Sequence, residues 1–483
     1  MTINTDRVVA VTGGGAGIGA AVVEELGRQG AFVVTMDPMV TLDGSSTADP
    51  APATTASRAT PVSVTDGPAV RDLFASLVDE FGRLDAVINV AGISRPTGFA
   101  RGSAEDWRAV LSVHLDGWRN ILNAALPLMT AAGYGRILGV TSGSGWRAAD
   151  AGAYACAKRA VASLVWELGR AAPPGVVINA MSPIAVTRMV TAALGGGGGG
   201  GGPSKATGGL NLGSMPQPEE IGPIGAWLVR DEFDYASGNV FFAGGPEIAV
   251  VEPPRLLEVV RTEGAGDLAP VFAAWAKAEA AQASGGGSNP RFPSLFGEVP
   301  SSDNGLSPEV AVVSDRREVL GALEAGGFAC AQITSADEIG DAEVLVVALA
   351  ARGDLVDGIF TDAMWARAAA ALGRPIRLIT VTDATTTDGR ARAQASAQLS
   401  RAALKATDDR VAAFASSDEG GDASRLVAHL VVHPDAATLS GAELVAGDGF
   451  LGLRSHPRPS TSFAIGNGPI PSWLDGTLKE ALR

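Results

Sequence analysis

The sequence has 483 residues, of which 46% are hydrophobic, and a formal net charge of -15 at pH 7. This length allows two or three domains with an ample core, and the acidic balance argues against nucleic acid or an anionic membrane surface as a partner. Two cysteines and four scattered histidines predict neither a disulfide framework nor a metal site. Charged residues interrupt every apolar stretch, and Met1 to Arg7 lacks a secretory leader, so we expect a cytoplasmic protein without membrane spans.

The first predicted element is a short apolar strand, Val8 to Thr12, that runs into a glycine-rich turn and then a helix. The turn places Gly13, Gly17 and Gly19 in a GxxxGxG spacing. Glycines at such a turn let the backbone approach a pyrophosphate, whose charge is met by the N–H groups and positive end of the helix. A lone glycine-rich turn is a frequent false positive, so this motif needs support from the rest of the chain.

The second predicted strand, Ala31 to Met36, ends at Asp37. A carboxylate there would accept hydrogen bonds from the adenosine ribose hydroxyls and repel a 2′-phosphate, and no Lys or Arg lies within Thr12 to Gly19 to bind that phosphate. NAD is therefore favoured over NADP, and the alternative is that Asp37 is only a turn residue. We expect Pro38 to Pro61 to be mostly loop, and Asp66 to cap the next helix.

Further along, Ser142 follows a strand-like run, and Tyr154 and Lys158 are four residues apart on a predicted helix. Positions i and i+4 share a helix face, so the Lys158 ammonium is expected to lie beside the Tyr154 phenol and lower its pKa. Tyr154 could then exchange a proton with a substrate oxygen that Ser142 holds. Taken alone, the pattern is equally that of a surface Tyr and a solvated Lys.

The remaining elements of the first half predict a doubly wound parallel α/β sheet. Ala86 to Val90 and Arg136 to Thr141 are strand-like runs, whereas Ala104 to Thr130 and Ala151 to Arg170 have helical apolar spacing. Cofactor and substrate are expected to meet at the carboxyl ends of these strands.

Together, these motifs resemble the short-chain dehydrogenase/reductase family from about Asp6 to Pro253. The matching landmarks are Thr12 to Gly19, Asn89-Val-Ala-Gly92, Ser142, Tyr154 with Lys158, Asn179-Ala-Met-Ser-Pro183 leading to Thr187, and Ser237-Gly238 before Gly244-Gly245. The resemblance implies a Rossmann fold and a catalytic Ser142, Tyr154 and Lys158 that interconvert a secondary alcohol and a ketone. It also implies the cofactor-binding residues, which are Thr12, Gly13, Gly17, Ile18, Gly19, Asp37, Val64, Asn89, Ala91, Gly92, Tyr154, Lys158, Pro183 and Thr187.

Two positions depart from the family pattern. His114 stands where the family has a catalytic asparagine, and it either supports a water beside Lys158 or packs between helices. Ile184 replaces the usual glycine after Pro183, and members that look similar here oxidise 3-hydroxyacyl-CoA thioesters or hydroxysteroids. The segment beyond Thr187 is the family's substrate lid, and its eight glycines, Gly195 to Gly202, are either a lid hinge or a tolerated insertion.

The second half looks like a shortened, degenerate copy of the first. Strand-like runs return at Glu309 to Val313, Asp341 to Val347, Arg377 to Thr382 and Ser440 to Gly447. The glycine turn is replaced by Ser314-Asp-Arg-Arg317, and Arg392 to Arg401 has neither Tyr nor Lys, so no chemistry is expected there. We predict a catalytic domain at 1–262, a linker at 263–307 and a non-catalytic Rossmann-like domain at 308–483.

Family members associate through the helices after the fourth and fifth strands. The second half keeps candidates for these helices at Asp362 to Leu372 and Asp388 to Thr407, which predicts an internal pseudo-dimer, and we expect the whole chain to form a homo-oligomer, a homodimer. The predicted function is NAD-dependent oxidation or reduction of a small-molecule alcohol or ketone. The alternatives are an NADP-dependent 3-oxoacyl reductase and a non-catalytic NAD-binding sensor or scaffold.

Overall fold

The strands of the first half form one mixed sheet. The computed structural model describes residues 7–38, 58–147, 150–187, 189–191, 215–262, 268–283, 308–350, 354–466 and 468–483. The first eight strands are β1 Val8–Thr12, β2 Phe32–Met36, β3 Arg58–Thr60, β4 Ala86–Asn89, β5 Gly135–Val140, β6 Val176–Pro183, β7 Val240–Ala243 and β8 Glu247–Glu252. Their order is β8-β7-β6-β5-β4-β1-β2-β3, and every pair is parallel except β7 with β8.

Helices cover both faces of this sheet, which confirms the predicted doubly wound fold. They are α1 Gly17–Arg28, α2 Gly67–Phe81, α3 Ala104–Leu111, α4 Gly117–Ala132, α5 Gly152–Arg170 and α6 Pro218–Trp227. Strand residues alternate between the two layers: Val8 and Ala10 lie in the core that holds α2 to α5, and Val9 and Val11 in the core that holds α1 and α6. Within the ranges given above, no helix has the length and apolarity to cross a membrane.

The loops that enter α1 and α2 set the position of the candidate site. β1 pairs with β2 on one side and with β4 on the other, so the strand order reverses at β1 and leaves a crevice at the carboxyl ends of the strands. Asp66 caps α2, as predicted, by accepting a 3.1 Å hydrogen bond from the Ala69 amide. Of the predicted loop from Pro38 to Pro61, residues 58–60 form β3, and residues 39–57 lie outside the described ranges.

A second sheet organises the second half. Its elements are α7 Ala269–Ala283, β10 Glu309–Ser314, α8 Arg317–Ala325, β11 Ala329–Gln332, β12 Val344–Ala348, α9 Leu355–Ala371, β13 Ile376–Asp383, α10 Thr387–Ala406, β14 Val411–Glu419, α11 Ser424–Val432, β15 Glu443–Gly447 and β16 Phe450–Arg454. The strands from β11 to β15 are parallel in the order β11-β10-β12-β13-β14-β15, and β16 pairs antiparallel with β15. A second α/β sheet, with strands in the predicted runs, is therefore present.

The two halves exchange a strand and a helix. β9, Leu256–Arg261, follows β8 in the chain but pairs antiparallel with β16 of the second sheet. Reciprocally, β17, Arg458–Ala464, follows β16 but pairs antiparallel with β8 of the first sheet. The helices after these strands cross over as well, because α7 packs in the second core, and α12, Leu474–Ala481, packs in the core beside α1 and α6.

This exchange bears on the predicted division of the chain at residues 262 and 308. That division stays a prediction. In the structure, β9 of the predicted first domain pairs with the second sheet, and β17 of the predicted second domain pairs with the first sheet. Within the predicted linker, residues 269–283 form α7, whose Phe272 and Trp275 are buried among strands of the second sheet. Residues 263–267 and 284–307 lie outside the described ranges.

One hydrophobic core joins the halves along the helices predicted for the pseudo-dimer. Buried side chains of α3 and α5, including Trp107 and Val161, belong to the same cluster as Ile359 of α9 and Leu399 of α10. Fifteen of the 19 residues of α5 are buried, because this helix packs on its own sheet and against α10. Both helices present many alanines to this core, and small side chains allow helices to approach closely.

Candidate active site

The glycine-rich turn between β1 and α1 is shaped by backbone contacts that a side chain would block. Gly13 and Gly17 have φ angles of 65° and 55°, which favour glycine. A Cβ on Gly19 would lie 2.1 Å from the carbonyl oxygen of Gly13. α1 begins without a side-chain cap and without an acidic residue in its first turn, so its N–H groups suit a phosphate ligand. Ile18 is partly buried and packs on the adjoining core.

Thr12 links the glycine-rich turn to the end of β4. Its buried hydroxyl donates a 2.6 Å hydrogen bond to the Asn89 side-chain oxygen and accepts one of 3.1 Å from the Ala91 amide. Gly92 follows, and a Cβ on it would lie 2.4 Å from Cε1 of His114. The Asn89-Val-Ala-Gly92 motif therefore lies beside the glycine-rich turn at the crevice.

Asp37 lies at the end of β2, on the other side of the turn. Its Oδ2 accepts a 3.2 Å hydrogen bond from the Gly15 amide, and its own amide donates to the Thr60 carbonyl at 3.0 Å. A carboxylate beside the glycine-rich turn is compatible with the predicted contact with ribose hydroxyls. Val64, predicted at the adenine edge, is buried in the core, and Asn120 binds its carbonyl oxygen at 2.9 Å.

Ser142 and Tyr154 come together at the carboxyl end of β5. Ser142 directly follows the buried Thr141, and its Oγ accepts a 3.2 Å hydrogen bond from the Ser144 amide. The Tyr154 phenol, in the first turn of α5, lies beside the Ser142 hydroxyl. Two adjacent hydroxyls at this edge can both contact one substrate oxygen.

Lys158 lies one turn further along α5 and is almost completely buried. Its Nζ donates a 2.6 Å hydrogen bond to the Val140 carbonyl and stands 5.6 Å from the centre of the Tyr154 ring. The predicted proximity of Lys158 and Tyr154 is therefore present. Burial lowers the pKa of Lys158 to about 7, so that near neutral pH the ammonium and the amine are both populated.

The predicted lowering of the Tyr154 pKa by Lys158 is wrong for these side chains. Burial raises the pKa of Tyr154 above its ordinary value, and the hydrogen bond with Ser142 offsets part of that rise. The physical reason is that both groups are desolvated: the low-dielectric surroundings that disfavour the phenolate also disfavour the ammonium that would stabilise it.

His114 lies between the motif at the end of β4 and the tyrosine. It is buried in a π-helical turn, Ser112–Asp116, and its ring meets the Tyr154 ring edge-on at 5.3 Å between centroids. Nε2 lies 2.9 Å from the Ile93 carbonyl, which only accepts, so Nε2 carries the proton and Nδ1 is the acceptor. Burial and the charge of Lys158 hold the pKa of His114 well below its usual range, so the ring is neutral at physiological pH.

Pro183 and Thr187 close the side of the crevice after β6. Pro183 is the last residue of β6, and the Thr187 methyl lies 3.7 Å from where a Cβ of Gly17 would be. This places the predicted residues after β6 against the glycine-rich turn. The lid with Gly195 to Gly202 lies outside the described residues.

The start of α5 is fixed by residues that the sequence did not indicate. The Asp150 carboxylate accepts a 2.8 Å hydrogen bond from the Phe99 amide, and the Thr97 hydroxyl accepts one of 3.1 Å from the Ala153 amide. Gly152 has φ 50°, and a Cβ there would lie 2.5 Å from the Gly98 amide nitrogen. These contacts set the position of Tyr154 two residues later. The sequence signal for this fixed helix start was Gly152 as the first residue of a helix, but Gly98, which it contacts, is distant in the sequence.

No group of three metal-binding side chains occurs in the part of the chain that the structure describes. The glycine-rich turn, Asn89 and Asp37 form a cradle at the sheet edge that also holds Ser142, Tyr154 and Lys158.

Comparisons with known proteins find relatives of the first half of the chain. A family model described as enoyl-(acyl carrier protein) reductase matches residues 13–245. The short-chain reductase protein NovJ of Streptomyces niveus is 32% identical over 253 residues, which are 51% of this chain and 95% of that protein. The hydroxyacyl-CoA dehydrogenase ChsB1 of Mycobacterium tuberculosis is 30% identical over 268 residues, which are 52% of this chain and 81% of that protein.

A crystal structure of a short chain dehydrogenase from Mycobacterium avium is 31% identical and covers 56% of this chain and 94% of its own, with a TM-score of 0.45. The family model and these relatives match about half of the chain, and the matched residues 13–245 include every candidate site residue except Thr12. Through this half, the chain belongs to the short-chain dehydrogenase/reductase family of oxidoreductases.

Proposed function

We propose that this protein interconverts a secondary alcohol and a ketone with NAD as its cofactor. The observation that carries the proposal is the neighbouring pair of hydroxyls on Ser142 and Tyr154, one helical turn from the buried Lys158 and at the same sheet edge as the glycine-rich cradle. A cytoplasmic location stays a prediction.

The cradle fits a nicotinamide dinucleotide. The uncapped start of α1 and the close backbone turn suit the pyrophosphate, and Thr187 lies over Gly17. Asp37 is the residue that favours NAD, because its carboxylate suits ribose hydroxyls and repels a 2′-phosphate. A bound nicotinamide would supply the hydride acceptor for the carbinol carbon in oxidation and the hydride donor in reduction.

The side chains supply the proton transfer and the orientation. Ser142 holds the substrate oxygen, and Tyr154 gives a proton to the forming alkoxide during reduction or takes one during oxidation. Because burial raises the pKa of Tyr154, the phenol is protonated at neutral pH and is ready to act as an acid. Oxidation needs the phenolate, so we expect the oxidation rate to rise with pH. The Nδ1 acceptor of His114 can hold a water beside Lys158.

Acyl thioesters are the first substrates to test. The departures at His114 and Ile184 resemble members that oxidise 3-hydroxyacyl-CoA thioesters or hydroxysteroids. A relative named as a hydroxyacyl-CoA dehydrogenase, 30% identical to this chain, supports the same class.

The test is NADH formation by the purified protein with secondary alcohols, hydroxysteroids and 3-hydroxyacyl-CoA thioesters, with NAD and NADP compared in parallel. Tyr154→Phe should abolish turnover while NAD still binds. Tyr134→Phe is the matched control, because the Tyr134 phenol donates to Asp231 at 2.6 Å, away from the site. Near-normal turnover by Tyr154→Phe would refute the role of the tyrosine. Binding of NAD without turnover on any substrate would favour the sensor or scaffold alternative.

We also propose that the second half acts as an internal pseudo-dimer partner. Its α9 and α10 cover α3 and α5, and ion pairs join Arg108 to Asp357 at 2.7 Å and Arg119 to Asp388 at 2.6 Å. The strand exchange between the sheets supports the same relationship. Residues 1–262 alone should therefore aggregate or self-associate. A soluble, active fragment that stays monomeric in analytical ultracentrifugation would contradict this proposal.

A further inference from the structure

The loop that follows Ser142 is held by side chains of the second half. Gln398 of α10 donates from Nε2 to the Ser144 carbonyl at 3.1 Å and to the Arg147 carbonyl at 2.9 Å. Arg401, one turn further along α10, donates to the Trp146 carbonyl. Three of the five carbonyls from residue 143 to residue 147 are thus bound by a helix more than 250 residues away in sequence.

The amide of Gln398 is itself fixed in one orientation. It is almost fully buried, and its Oε1 accepts a 3.2 Å hydrogen bond from Nη1 of Arg159. Arg159 is completely buried and is held by Gln394 at 2.9 Å and by Glu443 at 2.5 Å. Because Arg159 can only donate, the Gln398 oxygen must face it, and the NH₂ group must face the loop.

A chain of hydrogen bonds connects Gln398 to the catalytic hydroxyls. Gln398 binds the carbonyl of Ser144, the amide of Ser144 donates to Ser142 Oγ at 3.2 Å, and the Ser142 hydroxyl lies beside the Tyr154 phenol. Among the described residues, the hydrogen bonds within the turn are short-range, such as Gly145 N–H to the Ser142 carbonyl at 2.9 Å. Ser144 is thus held by Gln398 through its carbonyl, and it holds the Ser142 oxygen through its amide.

We propose that Gln398 is a positioning residue for this reaction: from the second half of the chain, it fixes the turn that directs Ser142 at the substrate oxygen, with Arg401 in support. The inference rests on the proposed function. It gives a role in the reaction to the second half of the chain, in which no catalytic residues are predicted. Small displacements of a positioned group reduce rates strongly, because the reacting atoms must be aligned.

Two substitutions in the full-length chain separate the hydrogen bonds that Gln398 donates to the loop from the packing of its side chain. Gln398→Met keeps the length of the side chain without any donor, and Gln398→Glu keeps the acceptor for Arg159 but cannot donate to the loop. Both should lower kcat about ten- to a hundredfold while the KM for NAD stays unchanged, because the cofactor cradle is not touched. Gln332→Glu is the matched control, since Gln332 also donates to a backbone carbonyl, that of Ser314 at 2.9 Å, but lies in the second sheet.

A double-substitution cycle tests whether the effect passes through Ser142. In a Ser142→Ala background, Gln398→Met should cost little further activity, because the group that it positions has gone. If Gln398→Met lowers activity by the same factor in both backgrounds, or lowers the affinity for NAD and the melting temperature together with kcat, Gln398 is only structural and the inference is wrong.

Amide hydrogen exchange gives a readout that does not depend on turnover. In Gln398→Met, the amides of Gly145, Trp146 and Arg147 should exchange faster than in the unsubstituted protein, whereas those of β1 should not change. Unchanged exchange at residues 143–147 would overturn the inference. An unsubstituted protein that turns over no substrate would instead contradict the proposed function, and the exchange experiment would still decide whether Gln398 holds the loop.

Discussion

The side-chain hydroxyl of Thr141 donates a 2.6 Å hydrogen bond to the backbone carbonyl of Lys158. Both residues are buried, and the bond ties the end of β5 to the middle of α5. Ser142 is the residue after the donor, Thr141, and Lys158 provides the acceptor. This bond, together with that from Lys158 Nζ to the Val140 carbonyl, fixes Lys158 relative to the strand end that carries Ser142.

Removal of this hydroxyl should reduce both stability and rate. Thr141→Val keeps the shape of the side chain but loses the hydrogen bond, which should lower the free energy of unfolding by about 1 kcal/mol. We expect kcat to fall severalfold with an unchanged KM for NAD, measured by steady-state kinetics and urea unfolding.

The second half offers a matched control for that substitution. Thr382 stands at the corresponding end of β13 and is equally buried, and its hydroxyl has no hydrogen-bond partner among the described residues. Thr382→Val should therefore be neutral or stabilising. Equal effects of the two substitutions on stability and kcat would show that the Thr141 hydrogen bond is not the cause of the loss.

Asp37 should determine the choice of cofactor. Asp37→Asn removes the charge that repels a 2′-phosphate, so the ratio of kcat/KM for NAD to that for NADP should fall about tenfold, which corresponds to ~1.4 kcal/mol. The measurement is kinetics with both cofactors. Asp72→Asn, on the exposed face of α2, removes the same charge and should leave the ratio unchanged. An unaltered ratio in Asp37→Asn would remove the reason for preferring NAD.

Lys158 should make stability depend on pH. Its pKa is lowered by burial from 10.5 to about 7, so between these values the unfolded chain binds one more proton than the folded chain. The contribution of Lys158 to the free energy of unfolding therefore rises with pH over this window, and below it the full cost of burying the ammonium is present.

Lys158→Met removes that cost. The variant should be more stable than the unsubstituted protein by at least about 1 kcal/mol at about pH 6, with a difference that shrinks towards about pH 10. It should also be inactive. Thermal unfolding across this pH range measures the effect, and Lys405→Met, at an exposed position, should show no such trend. A variant less stable at low pH would mean that Lys158 is not desolvated.

The Arg159 and Glu443 pair should contribute to the contact between the halves. Arg159→Met leaves the buried Glu443 carboxylate without its cation and should lower the free energy of unfolding by about 3 kcal/mol, whereas adding Glu443→Gln should recover part of the loss. Urea unfolding measures both. The control is Arg108→Met, whose ion pair with Asp357 is about half exposed and should cost less than about 1 kcal/mol. Equal losses for the two pairs would contradict a buried role for Arg159.

The site could be predicted where the signal is local in sequence. The glycine-rich turn, Asp37, and the i, i+4 pair of Tyr154 and Lys158 are patterns of a few residues, and the structure brings them together at one sheet edge. The sign of the Tyr154 pKa shift was predicted wrongly, because spacing gives the distance to Lys158 but not the desolvation of both groups.

Contacts between distant residues could not be predicted. Gln398 and Arg401 have no recognisable pattern on α10, and their role exists only because α10 packs against the loop after Ser142. The strands that pair with β9 and β17 could not be predicted from the sequence either. Each strand follows another strand after a short connection, which is the usual sign of a local hairpin, yet each pairs with the opposite half.

The exchanged strand also constrains how the protein can be made. Ser460 of β17 bonds to the Val250 carbonyl, 210 residues earlier, so during synthesis β8 emerges from the ribosome long before its partner strand. Until then, the unpaired edge of β8 can pair with other chains. We infer that a chain stopped in the second half would contain Ser142, Tyr154 and Lys158 and would still aggregate, because the first sheet is complete only after β17 has been synthesised.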